Sequence, residues 1–179
     1  LKAAGQIDCS LGQEGDVWFL GGIYGGSGQL TRECTIPEGK ALFFPIVNII
    51  CSPFTDDSPE VLLACAANPG DVYGFGFRMY PVKATVDGKP IGGLERFYTL
   101  SEETFDLGPL PVLNIFNDPP GAVAPGATGG YYLLSPPLPE GEHVIYFNGG
   151  YDLDFDFDGT ADYTSTQEIT YILEVEDGD

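Results

Sequence analysis

The acidic stretch 151–163, YDLDFDFDGTADY, holds the residues whose types and spacing are best suited to chemistry. Aromatic and aliphatic side chains alternate with aspartates along it, a period-2 pattern that predicts a half-buried β-strand entering Gly159. Carboxylates on one face of a strand lie about 7 Å apart and repel one another, so water and salt or a bound cation must screen them.

The second half of this stretch has the spacing of a calcium loop. Its order D-x-D-x-D-G-x-x-D places hard oxygens around one ion, with glycine permitting the sharp turn. The predicted ligands are Asp154, Asp156, Asp158, Thr160 (through its backbone carbonyl) and Asp162. Ser165 stands where an EF-hand has its final Glu, and no helical pattern flanks the loop, so this is not a complete EF-hand.

The loop instead resembles the shorter Asp-rich loops of thrombospondin type 3 and integrin-type repeats, which implies calcium as the cofactor. The likeness covers about nine residues. The alternative is an acidic strand that ends in an Asp-Gly turn with solvated charges.

Composition and charge limit the class of protein. With 43% hydrophobic and 13% aromatic residues, the chain is predicted to fold, as a single domain over residues 1–179. A net charge of −20 with only seven Lys and Arg argues against nucleic acid as a partner and favours cations and a saline setting. No apolar run reaches the roughly 20 residues of a membrane helix, which predicts no membrane insertion. Because the chain begins at Leu1, we expect a processed or trimmed form.

Four cysteines occur without a C-x-x-C pair, which disfavours a zinc site: Cys9, Cys34, Cys51 and Cys65. Two disulfides are predicted instead, and with them a secreted, extracellular protein. The pairing Cys9–Cys34 and Cys51–Cys65 is favoured because each bond closes a local loop around a predicted strand or helix. Four buried free thiols in a reducing compartment are the alternative.

Short apolar segments between Pro/Gly turns predict an all-β, mainly antiparallel fold, either a β-sandwich or a jelly roll. The predicted strands are 16–20, 31–36, 41–51, 73–80, 82–86, 96–100, 112–116, 131–134, 144–147 and 167–175. One short helix is predicted near 59–67, capped by Ser58.

Three local features refine this fold. Pro45 predicts a bend or bulge inside the apolar strand 41–51. Asp87 and Gly88 predict a type I′ hairpin. Residues 118–130 (DPPGAVAPGATGG) are predicted to form a long loop and hence a candidate interaction surface.

Four blocks of the sequence form a recognisable set: GDVWFLGG (15–22), RECTIPEGKALFFP (32–45) with Asn48 and Cys51 after it, VDG (86–88) and PLPEGEHVI (137–145). Together they resemble an uncharacterised family of secreted microbial β-rich proteins. The resemblance implies secretion and a single β-rich domain, and it brings no activity. The aspartate run departs from the family pattern, so the calcium hypothesis depends on this sequence alone.

No catalytic residue is predicted. The segment GGSG (25–28) lacks the G-K-[ST] ending of a phosphate loop, and Gln29 excludes a nucleophile elbow at Ser27. The single histidine, His143, is more typical of a strand-edge residue than of a catalytic base.

The sequence therefore favours a non-enzymatic extracellular structural or interaction protein: a scaffold, an adhesin or a self-assembling appendage subunit, stabilised by disulfides and calcium. Copies could form a homo-oligomer or polymer through edge strands, with residues 169–175 as a candidate.

The alternative is a protein that binds glycan, either a carbohydrate-binding module or a carboxylate-dependent glycan-active enzyme. Candidate carboxylates for it are Glu14, Asp16, Glu95, Glu102, Glu103 and Asp106. Candidate sugar-stacking aromatics are Trp18, Tyr73, Tyr80, Tyr98, Tyr131, Tyr132 and Tyr151.

Overall fold

Two β-sheets form the framework of the computed structural model, which describes residues 7–24, 26–52, 58–112 and 119–177. The strands are β1 (Val17–Phe19), β2 (Gly28–Pro37), β3 (Ala41–Cys51), β4 (Gly76–Met79), β5 (Lys83–Val86), β6 (Lys89–Pro90), β7 (Tyr98–Leu100), β8 (Phe105–Leu107), β9 (Ala124–Ser135), β10 (Gly141–Asp154) and β11 (Tyr163–Glu176). The helices are α1 (Pro59–Ala67) and α2 (Pro69–Tyr73), with a 3₁₀ turn at Leu94–Phe97.

The first sheet has the order β1-β3-β9-β7, with β8 also on β9. The second has the order β2-β11-β10-β5-β6, with β4 also on β10. Strands β1 and β3 are parallel, as are β2 and β11, while the other pairs are antiparallel. This sandwich-like architecture confirms the predicted all-β, mainly antiparallel class. The single-domain prediction includes residues outside the described part and stays a prediction.

The core lies between the sheets, and both contribute to it. Phe44 of β3 stacks on Phe147 of β10 with ring centroids 5.3 Å apart, and both side chains are fully buried. Burial alternates along β2 and β11, as expected for strands with one face on a core. Each such side chain removed from water contributes about 1.5–3 kcal/mol, so this shared core holds the two sheets together.

The structure confirms two further predictions that were made from local sequence signals. The register between β3 and β9 shifts at Pro45/Val47, as the proline predicts, because it has no N–H for the ladder. Asp87 and Gly88 both have positive φ (51° and 71°), as a type I′ turn requires.

The predicted helix is α1, and its N-cap is as expected: Ser58 Oγ accepts a hydrogen bond from the Val61 amide. Asn68 ends α1 and caps α2 by accepting from the Gly70 amide at 3.0 Å. The sequence does not predict α2. The strand predicted over 73–80 is wrong over residues 73–75, because Tyr73 ends α2 and β4 begins only at Gly76.

The predicted loop 118–130 is wrong over residues 124–130, which begin the long strand β9. Its glycines suggested a turn, but Gly126, Gly129 and Gly130 are buried where neighbours approach too closely for a side chain. A Cβ on Gly129 would lie 2.1 Å from the Ala66 carbonyl oxygen, so glycine there lets α1 lie directly on the sheet. Residues 113–118, including most of the predicted strand 112–116, lie outside the described part.

The C-terminal strand is also placed differently from the prediction. Residues 169–175 belong to β11, which pairs with β10 on one side and β2 on the other. A strand bonded on both sides has no free backbone groups for another chain, so it is not an edge strand. In the described part of the chain the long edge of this sheet is β2, which pairs only with β11.

Both disulfides have the favoured pairing. Cys9–Cys34 fastens the N-terminal segment to β2, and Cys51–Cys65 fastens the end of β3 to α1. No helix among the described residues is long and apolar enough to cross a membrane.

Candidate metal site

The aspartate run does not continue as one strand to Gly159. Strand β10 ends at Asp154, and Phe155 and Phe157 are exposed (55% and 66%) rather than buried. The predicted alternation is therefore wrong beyond this point. The physical reason is that the aspartate side chains accept hydrogen bonds from the loop backbone, which offers the chain an alternative to the strand ladder.

Asp152 is placed opposite to the prediction, being buried at 5% exposure. Its carboxylate accepts hydrogen bonds from Tyr80 Oη, from Arg78 Nη2 at 2.5 Å and from Thr164 Oγ1 at 2.8 Å. The hydrogen bond from Tyr80, with those from Arg78 and Thr164, holds the pKa of Asp152 below its usual range against the opposing effect of burial. This aspartate links three strands and is not available to an ion.

Hydrogen bonds close the loop that joins β10 to β11. Asp154 Oδ2 accepts from the Gly159 amide at 3.0 Å, and Asp162 Oδ2 accepts from the Phe155 amide at 2.7 Å. Gly159 has a φ of 86°, the left-handed region that favours glycine, as the calcium-loop spacing predicts. The two ends of the loop are thereby brought together.

Three of the five predicted ligands converge. Asp154, Asp156 and Asp162 each present a carboxylate oxygen within 4.8 Å of the other two. Two oxygens bound to one Ca²⁺ at about 2.3–2.6 Å can be no more than about 5 Å apart, so this spacing fits a shared ion.

One further observation points to a cation. Asp154 Oδ1 is buried and has no hydrogen-bond partner. A buried carboxylate oxygen without a partner is unfavourable unless a positive group lies beside it. The donor set, all carboxylate oxygen, suits a hard divalent cation.

Of the other two predicted ligands, Asp158 is not part of this carboxylate cluster. Its Oδ1 accepts from the Thr160 amide at 2.7 Å, and Asp156 Oδ1 accepts from the Asp158 amide at 3.2 Å, so these bonds shape the turn through Asp158. Binding through the backbone carbonyl of Thr160 stays a prediction.

The candidate catalytic carboxylates are all exposed: Glu14, Asp16, Glu95, Glu102, Glu103 and Asp106. Among the described residues, the Asp154, Asp156 and Asp162 cluster is the one group of three or more potential metal-ligating side chains, and none of these candidates belongs to it.

His143 serves the β5–β6 hairpin. Its Nδ1 lies 2.9 Å from Asp87 Oδ2, and its Nε2 lies 2.9 Å from the Pro139 carbonyl oxygen. Both partners are acceptors, so both ring nitrogens donate only in the imidazolium form. The hydrogen bond to Asp87 accordingly raises the pKa of His143 and lowers that of Asp87. Both ring nitrogens of His143 are therefore occupied by groups of the protein itself.

The candidate aromatics do not share one platform. Trp18 is buried, Tyr98 packs edge-on against Tyr131, and Tyr132 stacks on Phe43. Tyr80 binds Asp152, and Tyr73 is 44% exposed on α2. Of these candidate aromatics, Tyr151 lines a cleft between the sheets. Tyr24, a residue that no sequence pattern predicts, lines the same cleft.

Comparisons with known proteins add no functional information. No protein-family model matches the chain, and no curated protein matches it. A solved structure described as "Structure of PbICP-C in complex with falcipain-2" aligns with 90% of this chain and 100% of its own chain, at 13% identity and a TM-score of 0.25. That score is too low to support any inference.

Proposed function

We propose that this protein is a non-enzymatic extracellular structural or interaction protein in which a calcium ion braces the β10–β11 connection. The observation that carries the proposal is the buried, unpartnered Asp154 Oδ1 beside the converging carboxylates of Asp156 and Asp162. The ion would replace the missing hydrogen bond, and its two positive charges would offset most of the charge of the three crowded carboxylates.

Calcium suits this site better than a transition metal. No histidine or cysteine belongs to the cluster, and oxygen-only donors favour hard cations. Calcium accepts six to eight oxygens in flexible geometry, so loop carbonyls and water can complete a shell begun by three carboxylates. The loop lies at the surface, where water reaches the exposed Asp156 and Asp162.

Two disulfides in one chain are typical of proteins that fold in an oxidising compartment. They fasten an N-terminal segment and a helix to the sandwich, which suits a protein exposed to proteases and changing solvent. Secretion is therefore the localisation we propose.

Assembly of copies is part of the same proposal, and the edge strand for it is β2 rather than β11. Strand β2 is ten residues long and pairs on one side only within the described residues. Copies that each carry a charge of −20 repel one another, and calcium would reduce that repulsion. Light scattering with calcium and with EDTA measures this; a mass that is monomeric in both removes the assembly.

The test of the ion is calorimetric titration of the disulfide-intact protein with CaCl₂ and, separately, MgCl₂. We expect saturable calcium binding that Asp154→Asn abolishes, together with a melting temperature that rises in calcium and falls in EDTA. No heat of binding and an unchanged melting temperature would refute the metal site.

A further inference from the structure

A cleft of about 260 Å³ lies between the two sheets, at the end where β10 and β11 extend toward the aspartate loop. Its walls come from Ile23, Tyr24 and Gly26 and from β3, β10 and β11. Tyr24 and Tyr151 both line it, with polar groups from Asn48, Ser165 and Gln167. None of the lining residues carries a charge.

The segment that carries Tyr24 is held firmly in place. Gln167 Oε1 accepts from the Ile23 amide at 2.7 Å, and its Nε2 donates to the Ile46 carbonyl at 2.5 Å. Ser165 Oγ donates to the Gly26 carbonyl at 2.8 Å. A ligand would therefore meet a largely preformed cleft, which reduces the entropy lost on binding.

A second set of hydrogen bonds holds the residues that precede Tyr24. The guanidinium of Arg32, fully buried, donates from Nη1 to the Gly21 carbonyl at 2.6 Å and to Tyr171 Oη at 2.8 Å. Tyr171 Oη in turn donates to the same carbonyl at 2.6 Å. Gly22 has no room for a Cβ, which would lie 2.3 Å from Gln167 Oε1. These contacts fix the backbone immediately before Tyr24.

The chemistry of the lining selects a ligand class. An anionic ligand finds no Lys or Arg in the cleft, and the chain's net charge of −20 repels it. A cationic ligand finds no carboxylate there. Two tyrosine rings offer apolar faces with polar edges, and the hydroxyl and amide groups offer hydrogen bonds. A neutral saccharide has the matching features, an apolar C–H face and a rim of hydroxyls.

We propose that this cleft binds a neutral saccharide, with the rings of Tyr24 and Tyr151 against the sugar and the Asn48 amide bonding its hydroxyls. Ser165 Oγ, whose proton goes to the Gly26 carbonyl, can accept a hydrogen bond from one of them. The volume is near the lower end of small-molecule sites, which begin at about 300 Å³. The cleft therefore holds one sugar unit of a chain whose remainder extends into solvent. Tyr24 is 44% exposed, so it is accessible to such a chain.

The experiment uses saturation-transfer NMR followed by calorimetry on the intact protein. The probes are the hexaoses of cellulose, xylan, chitin and amylose, with oligogalacturonate as an anionic control. We expect at least one neutral hexaose to bind and oligogalacturonate not to bind. Tyr24→Ala should weaken binding by about tenfold, the upper range for one aromatic contact.

The matched control is Tyr73→Ala, because Tyr73 is also 44% exposed but lies on α2 outside the cleft lining. It should bind as the parent protein does. A second variant, Ile50→Trp, fills the cleft from a partly exposed position of β3 and should abolish binding without removing a core side chain.

Three results would overturn the assignment: no binding of any neutral hexaose, equal binding by the parent protein and Tyr24→Ala, or loss of binding in EDTA. None of the three clustered aspartates lines the cleft, so sugar binding should persist in EDTA. Failure of the calcium titration would leave this expectation unchanged, since the two sites use different residues.

Discussion

Asp156→Asn should change the stability of the protein in opposite directions with and without calcium. The substitution removes one negative charge from the cluster of Asp154, Asp156 and Asp162 while asparagine Oδ1 can still accept from the Asp158 amide. Without an ion the variant loses repulsion and gains stability. With calcium it loses an anionic ligand and with it the stabilisation by the ion.

The magnitudes follow from the spacing of the carboxylates and from chain length. Two unit charges 4.8 Å apart repel by about 0.9 kcal/mol in water, and salt reduces this by roughly half. Asp156 takes part in two of the three pairs, so the variant should gain about 1 kcal/mol in EDTA. For a chain of 179 residues that is a rise in Tm of about 2–4 °C.

Calcium should stabilise the parent protein but not the variant. An ion at 100 times its Kd stabilises the folded state by about 2.7 kcal/mol, which corresponds to a rise in Tm of about 5–11 °C. The variant should show little of this rise. The melting curves of the two proteins should therefore change order between EDTA and saturating calcium, as followed by circular dichroism at about 0.15 M ionic strength, where the repulsion is screened as assumed above.

Asp158→Asn is the matched control, with the same charge change in the same exposed loop but outside the cluster. It should retain most of the calcium-dependent rise. Equal behaviour of the two variants would mean that net charge alone is at work. A larger loss in Asp158→Asn would restore the ligand set expected from the calcium-loop spacing, and either result would refute the three-carboxylate site.

Three further variants, one of them with a matched control, test the fold around these sites. Gly129→Ala should destabilise the protein by about 1–3 kcal/mol because the new Cβ meets the backbone of α1, whereas Gly92→Ala, with open space around it, should be nearly neutral in chemical denaturation. Arg32→Lys should cost about 2 kcal/mol in the same assay, since a single ammonium cannot reproduce the buried fork of hydrogen bonds. The pKa of His143 is raised, so its stabilisation of the folded state is present below about pH 6.5 and is lost as pH rises through the folded-state pKa. The pKa of Asp87 is lowered, so its stabilisation is present above about pH 4 and is lost as pH falls through the folded-state pKa. His143→Gln should therefore lower stability by a fraction of 1 kcal/mol at pH 5 and by less at pH 8, and a loss that is equal at both pH values would contradict the ion pair.

Much of the fold could be predicted because it depends on local chemistry. Ser58 and Pro59 mark the start of α1, Pro45 marks a bulge, and Asp87 with Gly88 marks a hairpin. In each case the signal is a backbone preference of one or two residues, which the surrounding structure does not override.

The predictions from sequence are wrong where the local preference of a residue competes with tertiary packing. Residues 124–130 contain the proline and glycines of a loop, yet they form a strand because α1 and the neighbouring strands need the absence of side chains there. Asp152 belongs by pattern to a solvent face, yet it is buried because Arg78 on β4 and Tyr80 just after that strand hydrogen-bond to it. Neither partner can be identified from the spacing of residues along the chain.

By itself the sequence determined the strand periodicity, the number of disulfides, the acidic charge and the calcium-loop spacing, all of which are properties of neighbouring residues or of composition. Only the tertiary structure decided that three of the five predicted ligands converge, that β11 lies inside its sheet, and that Tyr24 and Tyr151 line one cleft. The reason is that strand pairing joins residues more than a hundred positions apart, as Leu30 and Ile169 are joined. Which residues meet across such distances depends on how the two sheets bury their apolar faces together.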